Sequence, residues 1–240
     1  MRIRVGGASA DFDNAKEFVR RYLNSPSEHW SYPLYDGYPG GPTDELSPQD
    51  LLGPALLNAG IRDLRSFDEF IACMPAVNDV LRQIAPDATV GDPDARSCVV
   101  EIIGLLDVPG IHGVGLTRFS KVLHRKRPGV FPLYDLHVQR CYQVISAPGL
   151  TVAVPSVRRR SRRAFAAVWL EAVAVDVVEQ ASAWGALAQL APVDGPRITP
   201  LRALDIVAWG LGQPAVGERP ARSTWDRVVA RGRAEVALEG

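Results

Sequence analysis

Only three cysteines (Cys73, Cys98 and Cys141) occur in 240 residues, too few and too widely spaced for a disulfide framework or a metal-binding knuckle. His29, His112 and His124 show no metal-ligand spacing, so neither a metal nor any other cofactor is expected. No apolar run is long enough to span a bilayer, and the opening MRIRVGGASADFDN lacks the apolar core of a signal peptide. A cytoplasmic protein with no membrane partner follows from these absences. Strand-like runs are scarce as well: Val152-Ala153-Val154 is the best of them, and it is short.

Net charge is also missing, with 27 basic residues against 27 acidic ones, but the balance hides a segregation. Residues 1–112 hold 9 Lys/Arg against 17 Asp/Glu, residues 113–163 hold 11 against 1, and residues 164–240 hold 7 against 9. Asp135 is the only carboxylate between Gly113 and Arg163. A basic block inside an otherwise acidic chain is the electrostatic footprint of a polyanion-binding protein, or else a solvated basic face.

What is abundant is helical periodicity. Asp13 to Leu23 reads as an amphipathic helix with Phe18, Val19 and Tyr22 on one face. Ser47-Pro48 starts another, running to about Asn58, and further helices are expected at about 66–73, 76–84 and 94–106. Between the first two lies an irregular stretch, SPSEHWSYPLYDGYPGGP, with Trp30, Tyr32, Tyr35 and Tyr38 among turn residues. Ala164 to Leu190 reads as one or two buried helices, broken near Ser182–Gly185. Thr199-Pro200 caps a helix that stops at Gly210–Gly212, and a last amphipathic helix starts at Ser223. The fold class is all-α, in a single domain of three stretches: 1–92, 93–163 and 164–240.

The chemistry concentrates in GVGLTRFSKVLHRKRPGVFPLYDLHVQRCY, residues 113–142. A helix over Val99–Leu106 and another over Leu116–Leu123, joined by a turn holding Gly113 and Gly115, make a helix–hairpin–helix. Glycine leaves the amides exposed and admits close approach of another chain. The second helix offers free N–H groups and its positive dipole end, where phosphate binds, with Arg118 and Lys121 adding charge. Such contacts hold DNA by its backbone without reading sequence.

Gly113-Val114-Gly115, then Asp135 followed by Leu136-His137-Val138-Gln139-Arg140, resembles the core of the helix–hairpin–helix DNA glycosylase superfamily. The resemblance implies two helical subdomains flanking a cleft, with Asp135 as the catalytic carboxylate. It implies DNA contacts from Gly113, Val114, Gly115, Thr117, Arg118, Lys121, His137 and Arg140, and double-stranded DNA as the partner of a monomer. Relatives that also cleave the backbone carry a lysine where this chain has Thr117, so base excision without lyase chemistry is implied. Ordinary base repair and removal of a modified base from phage DNA both remain open. The order of elements further resembles an uncharacterised family of bacterial proteins with the same hairpin and Tyr-Asp pair.

Independently of resemblance, breaking an N-glycosidic bond develops positive charge on the sugar, and a fixed carboxylate stabilises it. Asp135 also stands where an N-cap of the following helix belongs, and a cap position presents a carboxylate rigidly. Trp30 and Tyr35 are candidates for stacking on an extruded base, although aromatics in such a loop more often pin it to the core. Arg125, Lys126 and Arg127 suit the end of the hairpin's second helix through its dipole. The run RRRSRR at 158–163 is either a phosphate contact or a solvated helix start. The alternatives to a glycosylase are a non-catalytic helix–hairpin–helix DNA-binding protein and a protein-interaction domain for an acidic partner.

Overall fold

In the computed structural model, which describes residues 1–24, 30–108, 114–143 and 161–213, the chain opens with two strands ahead of the expected first helix. β1 (Arg2–Val5) and β2 (Ala8–Asp11) pair antiparallel, with Arg2 opposite Asp11 and Val5 opposite Ala8. Ile3, Val5 and Ala10 alternate onto the core, and Gly6 takes φ 57°, the left-handed geometry a two-residue turn requires. The all-α expectation missed this hairpin, although Gly6-Gly7 between two alternating runs is its signature.

The other regular elements among the described residues are helical. They are α1 (Phe12–Asn24), a 3-10 helix Pro48–Leu57, α2 (Leu64–Leu81), α3 (Pro93–Gly104) and a 3-10 turn Leu105–Asp107. Then come α4 (Leu116–His124), α5 (Leu136–Gln143), α6 (Arg162–Glu179), α7 (Ala181–Ala188) and α8 (Pro200–Leu211). The protein is mostly helical, and no helix among the described residues is long and apolar enough to cross a membrane.

Local chemistry accounts for four of the helix starts. Side chains of Asp63, Asp92, Ser161 and Thr199 accept first-turn amides of α2, α3, α6 and α8. Three boundaries depart from expectation. The segment after Ser47 is 3-10 rather than α, with Pro54 inside it, and ends on Asn58 at φ 54°. The two helices expected at 66–84 are one, α2, which carries Pro75 on its exposed side. The break in the long C-terminal helical run falls at Gln180, with φ −121°, not at Ser182–Gly185. Val152–Val154 and the helix from Ser223 lie outside the described residues.

The core lies where α3 runs along α6 and where α8 is packed on by α1, α5 and α7. Trp169, Trp184, Phe119 and Phe165 are fully buried there, each of a size whose truncation to alanine costs about 3–5 kcal/mol. Asp176 on α6 ties the N-terminal hairpin down. Its carboxylate accepts from Gly6 N–H at 2.6 Å, Tyr142 Oη–H at 3.0 Å and Arg4 Nε–H at 3.0 Å. A Cβ on Gly6 would lie 2.5 Å from the Cys141 carbonyl oxygen, so the turn rests directly on α5.

Candidate functional site

The segment between α4 and α5 is anchored almost residue by residue. His124 Nδ1–H donates to the Phe131 carbonyl at 2.6 Å, Leu133 N–H to Asp205 Oδ2 at 3.1 Å, and Tyr134 N–H to Ser120 Oγ at 3.0 Å. The segment ends at Asp135, whose Oδ1 accepts the N–H groups of His137 and Val138 at 2.8 and 3.0 Å. One carboxylate oxygen thus caps α5, and Oδ2 accepts no hydrogen bond from the described residues. A carboxylate held by two amides on a pinned segment is preorganised, which is what electrostatic catalysis requires.

Asp135 lines a cavity of about 280 Å³. Tyr22 of α1, Trp30, and Trp209 of α8 form an aromatic wall, with Trp30 edge-on to Tyr22 at 4.6 Å and to Trp209 at 6.2 Å between centroids. Leu57 and Asn58 reach it from the end of the 3-10 helix, Lys121 from α4, and Arg202 and Asp205 from α8. Arg202 is buried between the rings of Tyr22 and Tyr35, 5.7 and 5.5 Å from their centroids, and pairs with Asp36 through Nε and Nη2 at 2.7 and 3.1 Å. Burial pushes Asp36 upward, but the charge and hydrogen bonds of Arg202 more than offset this and leave it below the usual carboxylate value. Asp205 behaves oppositely: burial drives it well above that value against the pull of Arg202, and its Oδ1 has no hydrogen-bond partner.

Several expected site residues sit elsewhere. Lys121, expected on a phosphate, is buried with Nζ donating to the Leu57 carbonyl at 3.1 Å, inside the same cavity as Asp135. Desolvation lowers its pKa, and Asp135 opposes the shift. Tyr35, expected against an extruded base, is fully buried behind the cavity, where its hydroxyl donates to the Lys121 carbonyl at 2.7 Å. His137 Nδ1 and Arg140 Nη1 both meet the carbonyl of Gly212 at 3.2 and 2.9 Å, so they fasten the end of α8 to α5. Of the hairpin, Gly113 lies outside the described residues and Val114 is buried. Gly115 N-caps α4 at φ −86°, not a left-handed angle, and a Cβ there would meet open space. Thr117 and Arg118 are half-buried in the first turn of α4.

The basic block is partly spent inside the protein. Lys126 forms a buried ion pair with Asp50 at 2.7 Å, and Arg127 donates to the carbonyls of Ile84 and Thr43, each at 2.8 Å. Arg125 donates to the Tyr38 carbonyl at 2.8 Å. These three cations hold the 30–58 region against α4, a stronger role than favouring a helix dipole. At the start of α6, Asp107 accepts the amides of Arg162 and Arg163 at 2.6 and 2.9 Å, so a carboxylate of the protein occupies the position a phosphate would take.

Arg202, Asp205 and Trp209 are among the cavity residues that pattern reasoning passed over. The signal was two charges, Arg202 and Asp205, inside the apolar run of α8, a placement rarely seen without a buried partner. The profile of a family of unknown function, DUF6308, matches residues 15–212, and the chain belongs to that family. No curated protein and no solved structure matches the chain.

Proposed function

We propose that this member of DUF6308 is a monofunctional DNA glycosylase that excises a damaged or modified base after nucleotide extrusion. The observation that carries the reading is Asp135. Two α5 amides hold one of its oxygens, and its side chain opens on a cavity with an aromatic wall. The extruded base enters beside Trp30 and Trp209, the C1′–N bond lengthens, and the Asp135 carboxylate stabilises the charge developing on the sugar. Water then adds at C1′, leaving an abasic strand and a free base. Gly115, with no side chain at the exposed start of α4, allows a phosphate to approach the first amides of that helix. Thr117 supplies no amine, and the amine of Lys121 is engaged with Leu57, which supports hydrolysis without a covalent step.

The test is incubation of wild type and Asp135→Asn with a panel of duplexes carrying modified bases, phage genomic DNA among them. Abasic sites are scored after alkali. Wild type releases a base and Asp135→Asn releases it at least about 100-fold more slowly. Duplex binding without release from any substrate would leave the non-catalytic DNA-binding alternative. Borohydride trapping of a protein–DNA adduct would overturn the monofunctional assignment.

A further inference from the structure

We propose that Asn58 determines which ring the cavity accepts, its side-chain amide pairing with an edge that offers a donor beside an acceptor; this rests on the reading that a base enters the cavity. The 3-10 helix Pro48–Leu57 ends in a hydrogen-bonded turn, in which Asn58 N–H donates to the Ala55 carbonyl at 3.1 Å and Ala59 N–H to the Pro54 carbonyl at 2.9 Å. Such a turn needs a left-handed residue, and Asn58 supplies it at φ 54° and ψ 31°. Among the described residues it is the only one besides glycine with positive φ. Glycine is the usual occupant, having no Cβ to strain there. Asparagine fits the turn less well than glycine and adds only a side-chain amide. Backbone strain kept at a cavity wall points to a use for that amide.

Asn58 is exposed and lines the cavity together with Asp135, Trp30 and Trp209, and its side chain bonds to no described residue. The turn is fixed in place, because Lys121 Nζ donates to the carbonyl of Leu57 at 3.1 Å. The cavity's other polar side chains are committed or one-sided. The hydroxyls of Tyr22 and Ser31 bond to each other, and Arg202 is paired with Asp36. Lys121 only donates, and the Asp135 carboxylate only accepts. An amide offers both roles side by side, an acceptor oxygen and a donor nitrogen. Nucleobases carry the complement along their pairing edges. A lactam sets C=O beside N–H, and an amidine sets a ring nitrogen beside an amino group. The amide meets either by turning over, as asparagine meets adenine in the bidentate pairs of DNA readout. A methyl on the ring nitrogen of that edge blocks one of the two bonds and leaves the amide half-satisfied. The class admitted is thus a planar heterocycle with a free lactam or amidine edge.

Calorimetric titration with three free bases tests this: hypoxanthine with a lactam edge, adenine with an amidine edge, and 1-methylhypoxanthine with its edge blocked. Wild type binds at least one of the first two at least about tenfold more tightly than the third. Asn58→Gly melts close to wild type, since glycine suits the left-handed position, yet shrinks that preference to within about threefold. Asn58→Asp also tolerates the turn but loses the donor, and it weakens the same binding. A preference that survives in Asn58→Gly shows that Asn58 serves only the turn and overturns the proposal. Binding of none of the three bases by wild type, or equal binding of all three, overturns it as well. A preference that is lost with Asn58, with no base released from any duplex, supports the contact and sinks the glycosylase reading. Release from duplexes by Asn58→Gly at the wild-type rate sinks the contact and leaves that reading standing.

Discussion

At Asp135 one oxygen holds two amides of α5 while the other accepts nothing from the described residues, so capping and catalysis are separable by substitution. Asparagine caps about as well as aspartate, whereas alanine gives up about 0.5–2 kcal/mol. On the proposed reading, Asp135→Asn therefore melts close to wild type and loses about 100-fold or more in single-turnover release. Asp135→Ala loses the same activity together with that increment of stability. Comparable melting of the two variants, measured by urea titration, would deny the cap; comparable release by Asp135→Asn and wild type would deny the chemistry. Asp135 was legible in the sequence because a cap is a local feature: an acid before a helical run, alone among cations. Lys121 was not, since a lysine on a short helix reads as solvent-facing until Leu57, 64 residues away, supplies its acceptor. Arg202 was hidden for the same reason: its partner Asp36 stands 166 residues away, and nothing local marks the pair.

At the scale of elements, the cations following α4 serve the fold before they serve any ligand. Asp50 accepts the amides of Gly41 and Ser47 at 3.0 and 2.8 Å and pairs with Lys126, closing the 30–58 region over α4. Removing one partner of a buried pair costs about 3–5 kcal/mol, while removing both charges together is often nearly neutral. Asp50→Ala accordingly lowers urea-unfolding stability by at least about 3 kcal/mol, and Asp50→Asn with Lys126→Met recovers most of it. A double variant as unstable as the single would show that the pair contributes beyond charge compensation. Helices were legible wherever Asp63, Asp92, Ser161 or Thr199 marked a start. The N-terminal hairpin was overlooked because four-residue strands carry little periodic signal. The basic block was overcounted as a polyanion surface because a charge run says nothing about what lies across from it. Of its 11 cations, Lys121, Arg125, Lys126, Arg127 and Arg140 bond internally, leaving at most six for phosphates. Duplex affinity should then fall with salt with a log–log slope no steeper than about −5, where the full block would give about −10. Anisotropy titrations over a range of salt measure this slope directly. Gly115→Ala should weaken the same binding without lowering the melting temperature appreciably, because its Cβ meets nothing within the protein.

For the whole molecule, the buried groups beneath the cavity couple stability to pH in opposing directions. Burial pushes His124 down to about 3, with Arg202 adding to the shift, so the folded protein holds it neutral while the unfolded chain protonates it near 6.5. Its contribution is complete above about pH 6.5 and is lost progressively as pH falls toward about 3. Asp205 runs the other way. Burial raises it well above 3.8, so its contribution is complete below that value and is lost as pH rises through its folded pKa. Asp176, also raised by burial, adds to the same side. Two substitutions separate these effects. In His124→Gln, the melting temperature relative to wild type should rise steadily from about pH 7 to about pH 5, because only wild type carries an imidazole that the unfolded chain protonates on acidification while the folded protein holds it neutral. In Asp205→Asn, whose amide is neutral and still accepts from Leu133, the same difference should grow as pH increases above 3.8. The signs are opposite because one group is held free of its proton by burial and the other is held to it. Parallel profiles for Asp205→Asn and wild type across that range would contradict the upward shift that burial gives Asp205.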